Sequence, residues 1–253
     1  MRVGIIRYPG SNCDYDTQRY FGGFFIWHTE SSFDVLNGLD LLVIPGGFAY
    51  GDRYYNKATE QYTISPGTMA IKSPVTAVIR EAAKRRIPIL GICNGFQILT
   101  QLNLLPGKLV FNKTKKFICK KVKCIAYDED IEKIEIAETD MYIANSYGNY
   151  VEPVDKTIHN FLMYGEDLPE YETRIAGVHN DEKTIFGMMP HPERNNNDFK
   201  ETLYKIIFSQ SINSQLVFEK KINELMNSEH ISYKTTKKYL KKLHTSAPWV
   251  IQG

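Results

Sequence analysis

The sequence predicts an α/β fold with a mostly parallel central sheet, flanking helices and an added antiparallel β region. Three observations carry this expectation. Several short runs, among them residues 2–7, Phe24–Trp27, Leu39–Ile44 and Pro88–Ile92, are apolar rather than alternating. Strands covered on both faces read this way. Helix-like segments separate these runs, as in units joined by crossovers. From Lys116 onward the pattern shifts to partial apolar–basic alternation, which suits a sheet with one wet face.

The bounds on function come from size, charge and cysteine usage. A chain of 253 residues is long enough for one large domain, or for a domain with an appendage. Its formal net charge of +2 gives no overall attraction to nucleic acid or to a membrane surface. No run of about 18 apolar residues is present, and the N-terminus enters a strand pattern directly, so neither signal peptide nor membrane span is expected. The four cysteines, Cys13, Cys93, Cys119 and Cys124, lack paired metal-ligand spacing. A cytoplasmic chain with free thiols and no bound metal is the expectation, with Cys119 and Cys124 structural.

Taken in order, residues 2–7 form a strand that ends in the turn residues Pro9-Gly10-Ser11-Asn12. Asn12 or Asp14 is expected to cap the helix that follows, to about Phe21. Strands follow at 24–27 and 39–44. The polar, aromatic stretch from Tyr50 to Ser73 reads as a long loop with one helical turn. Pro74 opens a helix through Lys84, since proline suits a first turn. A strand over 88–92 and a helix from Asn94 come next, and Leu105-Pro106-Gly107 closes that unit. Residues 116–125 and 131–136 read as wet-faced strands, and 174–178 and 184–189 as two further strands.

In a parallel sheet of this kind, ligands sit beyond the carboxyl ends of the strands. Three loops fall there: Pro9–Cys13, Pro45–Phe48 and the turn at Cys93. Cys93 is flanked by Gly91 and Gly95, giving strand, G-x-C-x-G turn and helix. This is the form of a nucleophile elbow with sulfur in place of oxygen. The helix from Asn94 points N–H groups and a partial positive charge at the sulfur. Read alone, the same pattern also fits a small cysteine ending a core strand. The Gly46-Gly47 pair lets backbone N–H groups face a substrate oxygen, and one of them with the Asn94 N–H forms an oxyanion-hole candidate. A plain tight turn is the other reading.

The strand over 184–189 runs into Pro190-His191-Pro192-Glu193. Pro192 holds His191 extended, and residues two apart in an extended segment face the same side. Glu193 is therefore placed to accept from His191 Nδ1, leaving Nε2 to take a proton from Cys93.

Gly91-Ile92-Cys93-Asn94-Gly95-Phe96-Gln97 with Pro190-His191-Pro192-Glu193 resembles the class I glutamine amidotransferases, whose triad is Cys-His-Glu. Narrower stretches resemble the glutaminase subunits of phosphoribosylformylglycinamidine synthases. They are Pro9-Gly10-Ser11-Asn12-Cys13-Asp14, Trp27-His28-Thr29-Glu30, Pro45-Gly46-Gly47-Phe48-Ala49-Tyr50-Gly51-Asp52, Lys116-Phe117-Ile118-Cys119 and Gly187-Met188-Met189-Pro190-His191-Pro192-Glu193-Arg194. The resemblance covers about residues 2–208.

It implies a class I amidotransferase-like fold in which Cys93 attacks the side-chain amide of glutamine. His191 acts as base and then acid, Glu193 orients it, and Gly46, Gly47, Phe48, Asn94 and Gln97 line the substrate site. The glutaminase step needs no cofactor or metal. Ammonia passes to a separate synthetase subunit, which uses ATP and Mg2+ on formylglycinamide ribonucleotide in de novo purine synthesis. A small third subunit of the complex is left open. The chain departs from the family at Ala144-Asn145-Ser146-Tyr147-Gly148, where such subunits carry Ala-His-Gly-Glu-Gly. The loop over 53–73 is also longer and lacks the usual Arg-Cys-Gly. Neither departure touches the triad.

The sequence divides into a glutaminase domain over 1–208 and a helical, Lys-rich tail over 209–253. Residues 198–226 read as an amphipathic helix. Met226–Lys234 and Leu243–Gly253 resemble the opening of the synthetase subunit, with Ile231 where that family carries cysteine. A fusion junction or a truncated piece is the expectation, against a plain solvated basic helix. Three rival functions stand beside the main reading: an amidotransferase subunit serving another acceptor, a silent scaffold, and a free-standing thiol hydrolase.

Overall fold

The apolar runs become the strands of one sheet. A computed structural model describes residues 1–51, 55–56, 61–62, 65–128, 134–155, 157–194 and 199–209. The chain separates into two compact units, Met1–Ile207 and Phe208–Gly253. The tail motifs around Ile231 and the Lys-rich stretch lie outside the described residues, as does the part of the amphipathic helix after 209.

Strands β1 (Val3–Arg7), β2 (Phe24–Trp27) and β3 (Leu41–Ile44) alternate with helix α1 (Asp14–Phe21) and a 3-10 turn at Phe33–Leu36. A small hairpin, β4 (Tyr55–Asn56) with β5 (Gln61–Tyr62), interrupts the long polar loop. Helix α2 (Val75–Lys84), β6 (Ile89–Ile92) and α3 (Asn94–Gln101) follow. Then come β7 (Lys108–Val110), β8 (Ile118–Asp128), β9 (Ile134–Asn145), β10 (Asn149–Val151), β11 (His159–Tyr164), β12 (Ile175–His179) and β13 (Ile185–Met188). Residues 199–209 add a last helix, α4, whose Phe199, Leu203, Ile206 and Ile207 are buried.

Among the described residues the main sheet has nine strands in the order β2-β1-β3-β6-β13-β12-β11-β8-β9. The β2-β1-β3-β6-β13 half is parallel, and the β12-β11-β8-β9 half is antiparallel. The antiparallel region is thus a continuation of the central sheet. Every residue of β3, β6 and β13 is buried, as strands covered on both faces require. Helix α2 turns Val75, Val78, Ile79 and Ala82 inward, at the three- and four-residue spacing of one helical face. No described helix is long and apolar enough to cross a membrane.

Three local expectations need correction. The N-cap of α1 is Cys13, and no side chain caps that end. Asp14 instead pairs with Arg7 of β1 at 2.5 Å, so its charge is spent on tying α1 to the sheet. The stretch from Tyr50 to Ser73 has the expected helical turn, as a 3-10 turn at Ala70–Lys72, but also holds the β4–β5 hairpin where only loop was expected. The sequence pattern also carries no sign of β7, β10 or β11, the last of which fills the place between β12 and β8.

Candidate active site

The order of strands assembles the site. β6 lies between β3 and β13, parallel to both, with Ile44 opposite Gly91 and Met188 opposite Ile92. Parallel neighbours end on the same side of the sheet, so the segments after them meet there: Gly46-Gly47 after β3, Cys93 after β6 and His191 after β13. β1 pairs with the far side of β3 and adds the loop carrying Cys13.

Cys93 has φ 51° and ψ −103°, a left-handed conformation that costs a non-glycine residue about 1–3 kcal/mol. The flanking glycines permit the turn. A Cβ on Gly95 would lie 1.9 Å from the Ile44 carbonyl oxygen, and one on Gly91 would lie 2.6 Å from the Gly95 backbone. The Cys93 N–H donates to the Met188 carbonyl at 2.7 Å, which fixes the elbow to β13 and so to the histidine strand. The thiol is 4% exposed and rests 3.7 Å from the Ala144 carbonyl oxygen on β9.

His191 Nδ1 lies 2.7 Å from Glu193 Oε1, with both side chains buried. His191 Nε2 is buried and has no hydrogen-bond partner among the described residues. Burial alone disfavours the imidazolium. The Glu193 carboxylate and the sulfurs of Cys93 and Cys13 outweigh it and hold the His191 pKa well above its ordinary value. The backbone N–H of His191 donates to the Tyr142 carbonyl at 2.8 Å. β9 is an outer strand of the sheet, yet through Tyr142 and Ala144 it returns to cover the site.

The residues expected to line the substrate site are placed as follows. Gly46 packs on the histidine: an added Cβ would lie 2.7 Å from His191 Cε1. Gly47 has φ +136° and abuts the Gly10–Asn12 backbone. The Phe48 N–H is occupied by the Gly10 carbonyl at 2.8 Å, while its ring lies 6.4 Å from that of Phe117. Asn94 Oδ1 accepts from the Ala49 N–H at 3.0 Å, and Asn94 Nδ2 donates to Gln97 Oε1 at 2.9 Å. Gln97 Nε2 then donates to the Tyr147 carbonyl at 2.8 Å. Both carboxamides therefore bind the walls of the site together.

Sequence reasoning missed several residues here. Cys13 lies against His191 and Glu193, with one ligand-type atom from each within 4.8 Å of the others. Arg194 Nη2 donates to Cys13 Sγ at 3.1 Å. Asn112, 1% exposed, donates to the Asn145 and Lys116 carbonyls at 3.0 Å each and accepts from the Gly148 N–H at 2.9 Å. It thereby fixes the segment in which the chain departs from its resemblance. Asn145 also pairs with the Tyr171 hydroxyl, at 2.9 and 3.2 Å. The expectation for Cys124 is met by a thiol that is fully buried, with its pKa pushed up to about 12 by burial. Cys119 is exposed.

A strained cysteine at a strand–helix turn, beside a buried histidine oriented by a carboxylate, has the parts of an acyl-transfer enzyme with a thiol nucleophile. Residues 1–166 match the CobB/CobQ-like glutamine amidotransferase domain family, and the chain belongs to that family. Similar proteins include the phosphoribosylformylglycinamidine synthase subunit PurQ of Thermotoga maritima, 38% identical over 208 residues, 76% of this chain and 87% of that one. The subunit of the same name from Novosphingobium aromaticivorans is 36% identical over 209 residues, 75% of this chain and 86% of that one. A solved structure of PurLQS from Thermotoga maritima matches with a TM-score of 0.67 at 32% identity, covering 85% of this chain and 98% of that one. A structure from Thermoplasma acidophilum, 15% identical with a TM-score of 0.55, shares the fold alone.

Proposed function

We propose that the chain is the glutamine-hydrolysing subunit of a phosphoribosylformylglycinamidine synthase. The observation that carries the chemistry is the buried His191–Glu193 pair at 2.7 Å, on the segment that leaves β13 beside the Cys93 elbow. Cys93 Sγ attacks the side-chain amide carbon of glutamine, and its proton passes to His191 Nε2. Backbone N–H groups of Gly46, Gly47 and Asn94 are the candidates to hold the oxyanion. The carbon–nitrogen bond breaks as His191 returns the proton to the leaving ammonia. A glutamyl thioester remains on Cys93. Water then attacks this thioester, giving up its proton to His191, and glutamate leaves as the thiol is restored.

The steps draw on the chain's own residues and water, and in this reading the glutaminase reaction takes neither metal nor cofactor. The ammonia serves a synthetase subunit that uses ATP and Mg2+ to convert formylglycinamide ribonucleotide to the amidine in de novo purine synthesis, in the cytoplasm. A small third subunit of the complex belongs to the same reading. So does the division into a glutaminase domain over 1–208 and a synthetase-like tail over 209–253.

The experiment is a trap for the thioester. The chain is mixed with glutamine and its synthetase partner, quenched in acid, digested and analysed by mass spectrometry. A glutamyl adduct on the Cys93 peptide, absent from Cys93→Ala, is expected. An adduct on another cysteine, or turnover that persists in Cys93→Ala, contradicts the assignment.

A further inference from the structure

One nucleophile needs one thiol, yet two thiols face His191. Cys93 comes from the elbow, and Cys13 comes from the loop after β1. Cys13 is 2% exposed, too buried for a contact with bulk solvent to explain its place. Its sulfur accepts from Arg194 Nη2 at 3.1 Å. Its backbone N–H is held by the Gly46 carbonyl at 3.3 Å. Gly46 packs on both partners, since a Cβ there would lie 2.7 Å from His191 Cε1 and 3.4 Å from Cys13 Sγ. Glu193 thus meets the imidazole at Nδ1, and the Cys13 sulfur lies within 4.8 Å of a ring nitrogen.

We propose that Cys13 is a positioning residue of the glutaminase: its sulfur, anchored by Arg194, holds the His191 imidazole in the orientation and protonation state that serve Cys93. The proposal rests on the assignment of Cys93, His191 and Glu193 made above.

Cys13, His191 and Glu193 are also close enough to hold a metal ion. The Arg194 guanidinium beside the sulfur opposes that use, because a dication there would sit against a fixed positive charge. Arg194 fixes the Cys13 sulfur through a charge-assisted hydrogen bond, and the sulfur's other polar neighbour is the imidazole. The groups facing His191 are Glu193 and Arg194 on its own segment, Cys93 on the elbow and Cys13 before α1. Tyr20 of α1 faces Glu193 in turn. Both sulfurs and the carboxylate act to raise the His191 pKa.

Removing the Cys13 sulfur takes away one group that favours the imidazolium, so the His191 pKa falls. The test uses the full-length chain with 13C-labelled histidine. The His191 Cε1 resonance is titrated by NMR in wild type, Cys13→Ala and Cys13→Ser. Glutamate release with the synthetase partner is measured across the same pH range, with Cys93→Ala as a fourth protein. In Cys13→Ala the His191 midpoint is expected to fall by about half a pH unit or more. kcat should drop about tenfold and KM change less than about twofold. Cys13→Ser, which keeps a small acceptor, should recover part of both effects. A folded Cys13→Ala with an unchanged His191 midpoint overturns the proposal. So does an activity lowered by the same factor at every pH, which would reveal packing alone. The underlying triad fails separately: if Cys93→Ala stays active while Cys13→Ala is dead, Cys13 is the nucleophile and the assignment of Cys93 falls.

Discussion

Cys93 adopts φ 51° and ψ −103°, and glycine would occupy that conformation with little strain. Cys93→Gly is therefore expected to stabilise the fold by about 1 kcal/mol while removing glutamine hydrolysis. Denaturant unfolding checks the first effect and glutamate release the second. Most substitutions destabilise, so a gain in stability at a buried position would be a sharp sign of strain kept for chemistry. A loss of stability would show that the thiol's contact with Ala144 outweighs the strain. Glu193→Gln keeps the shape of the pair but presents an amide in place of the carboxylate. It should lower kcat by roughly 10³- to 10⁴-fold, as loss of the orienting carboxylate does in serine triads. It should also lower the His191 pKa, because the Glu193 charge favours the imidazolium. A pH–rate profile measures both.

The elbow was readable in the sequence because its determinants are local. Two glycines, an apolar strand and a helix lie within the stretch Pro88–Leu99. Gly95→Ala is expected to cost about 3 kcal/mol or more, since its Cβ would strike the Ile44 carbonyl 1.9 Å away and β3 would have to move from β6. The loss of cooperative unfolding, or a large fall in the denaturant midpoint, would register it. Other elements could not be read so directly. β11 spells His159-Asn160-Phe161-Leu162-Met163-Tyr164, a run without period-2 alternation, and its pairing shifts register twice against β12. Its place is set by two distant neighbours rather than by its own pattern. The same holds for Asn112, whose partners at 145 and 148 lie 33 and 36 positions away, beyond β8 and β9. A buried asparagine with three hydrogen bonds has no signature in a single sequence. Asn112→Ala should destabilise by about 2–4 kcal/mol through unpaired backbone groups and raise KM more than it lowers kcat. Thermal melts and steady-state kinetics separate the two effects.

The molecule as a whole brings together segments that are far apart in the chain. His191 and Cys93 were paired from their own motifs, and the parallel neighbours β13 and β6 bring those motifs to the same edge of the sheet. Cys13 and Arg194 are separated by 181 positions, and only the sheet order β1-β3-β6-β13 makes them neighbours. The antiparallel half was legible as a change of pattern at Lys116. That it continues the same sheet and curls back over His191 through Tyr142 follows from long-range pairing, which period and propensity do not encode. The altered segment 144–148 sits in this returning part, anchored by Asn112 and Tyr171. The backbone that touches Cys93 at Ala144 is thus tied to Asn112 and, through Asn145, to Tyr171.

A glutaminase that feeds a synthetase should hydrolyse little glutamine alone, since free ammonia is lost to solution. The deciding measurement is glutamate release by the full-length chain with and without its synthetase subunit, ATP, Mg2+ and formylglycinamide ribonucleotide, for wild type and Cys93→Ala. The proposed function predicts strong stimulation of wild type by the complete mixture and none of Cys93→Ala. Equal release by both proteins, or no release from a wild-type complex that forms normally, would contradict it.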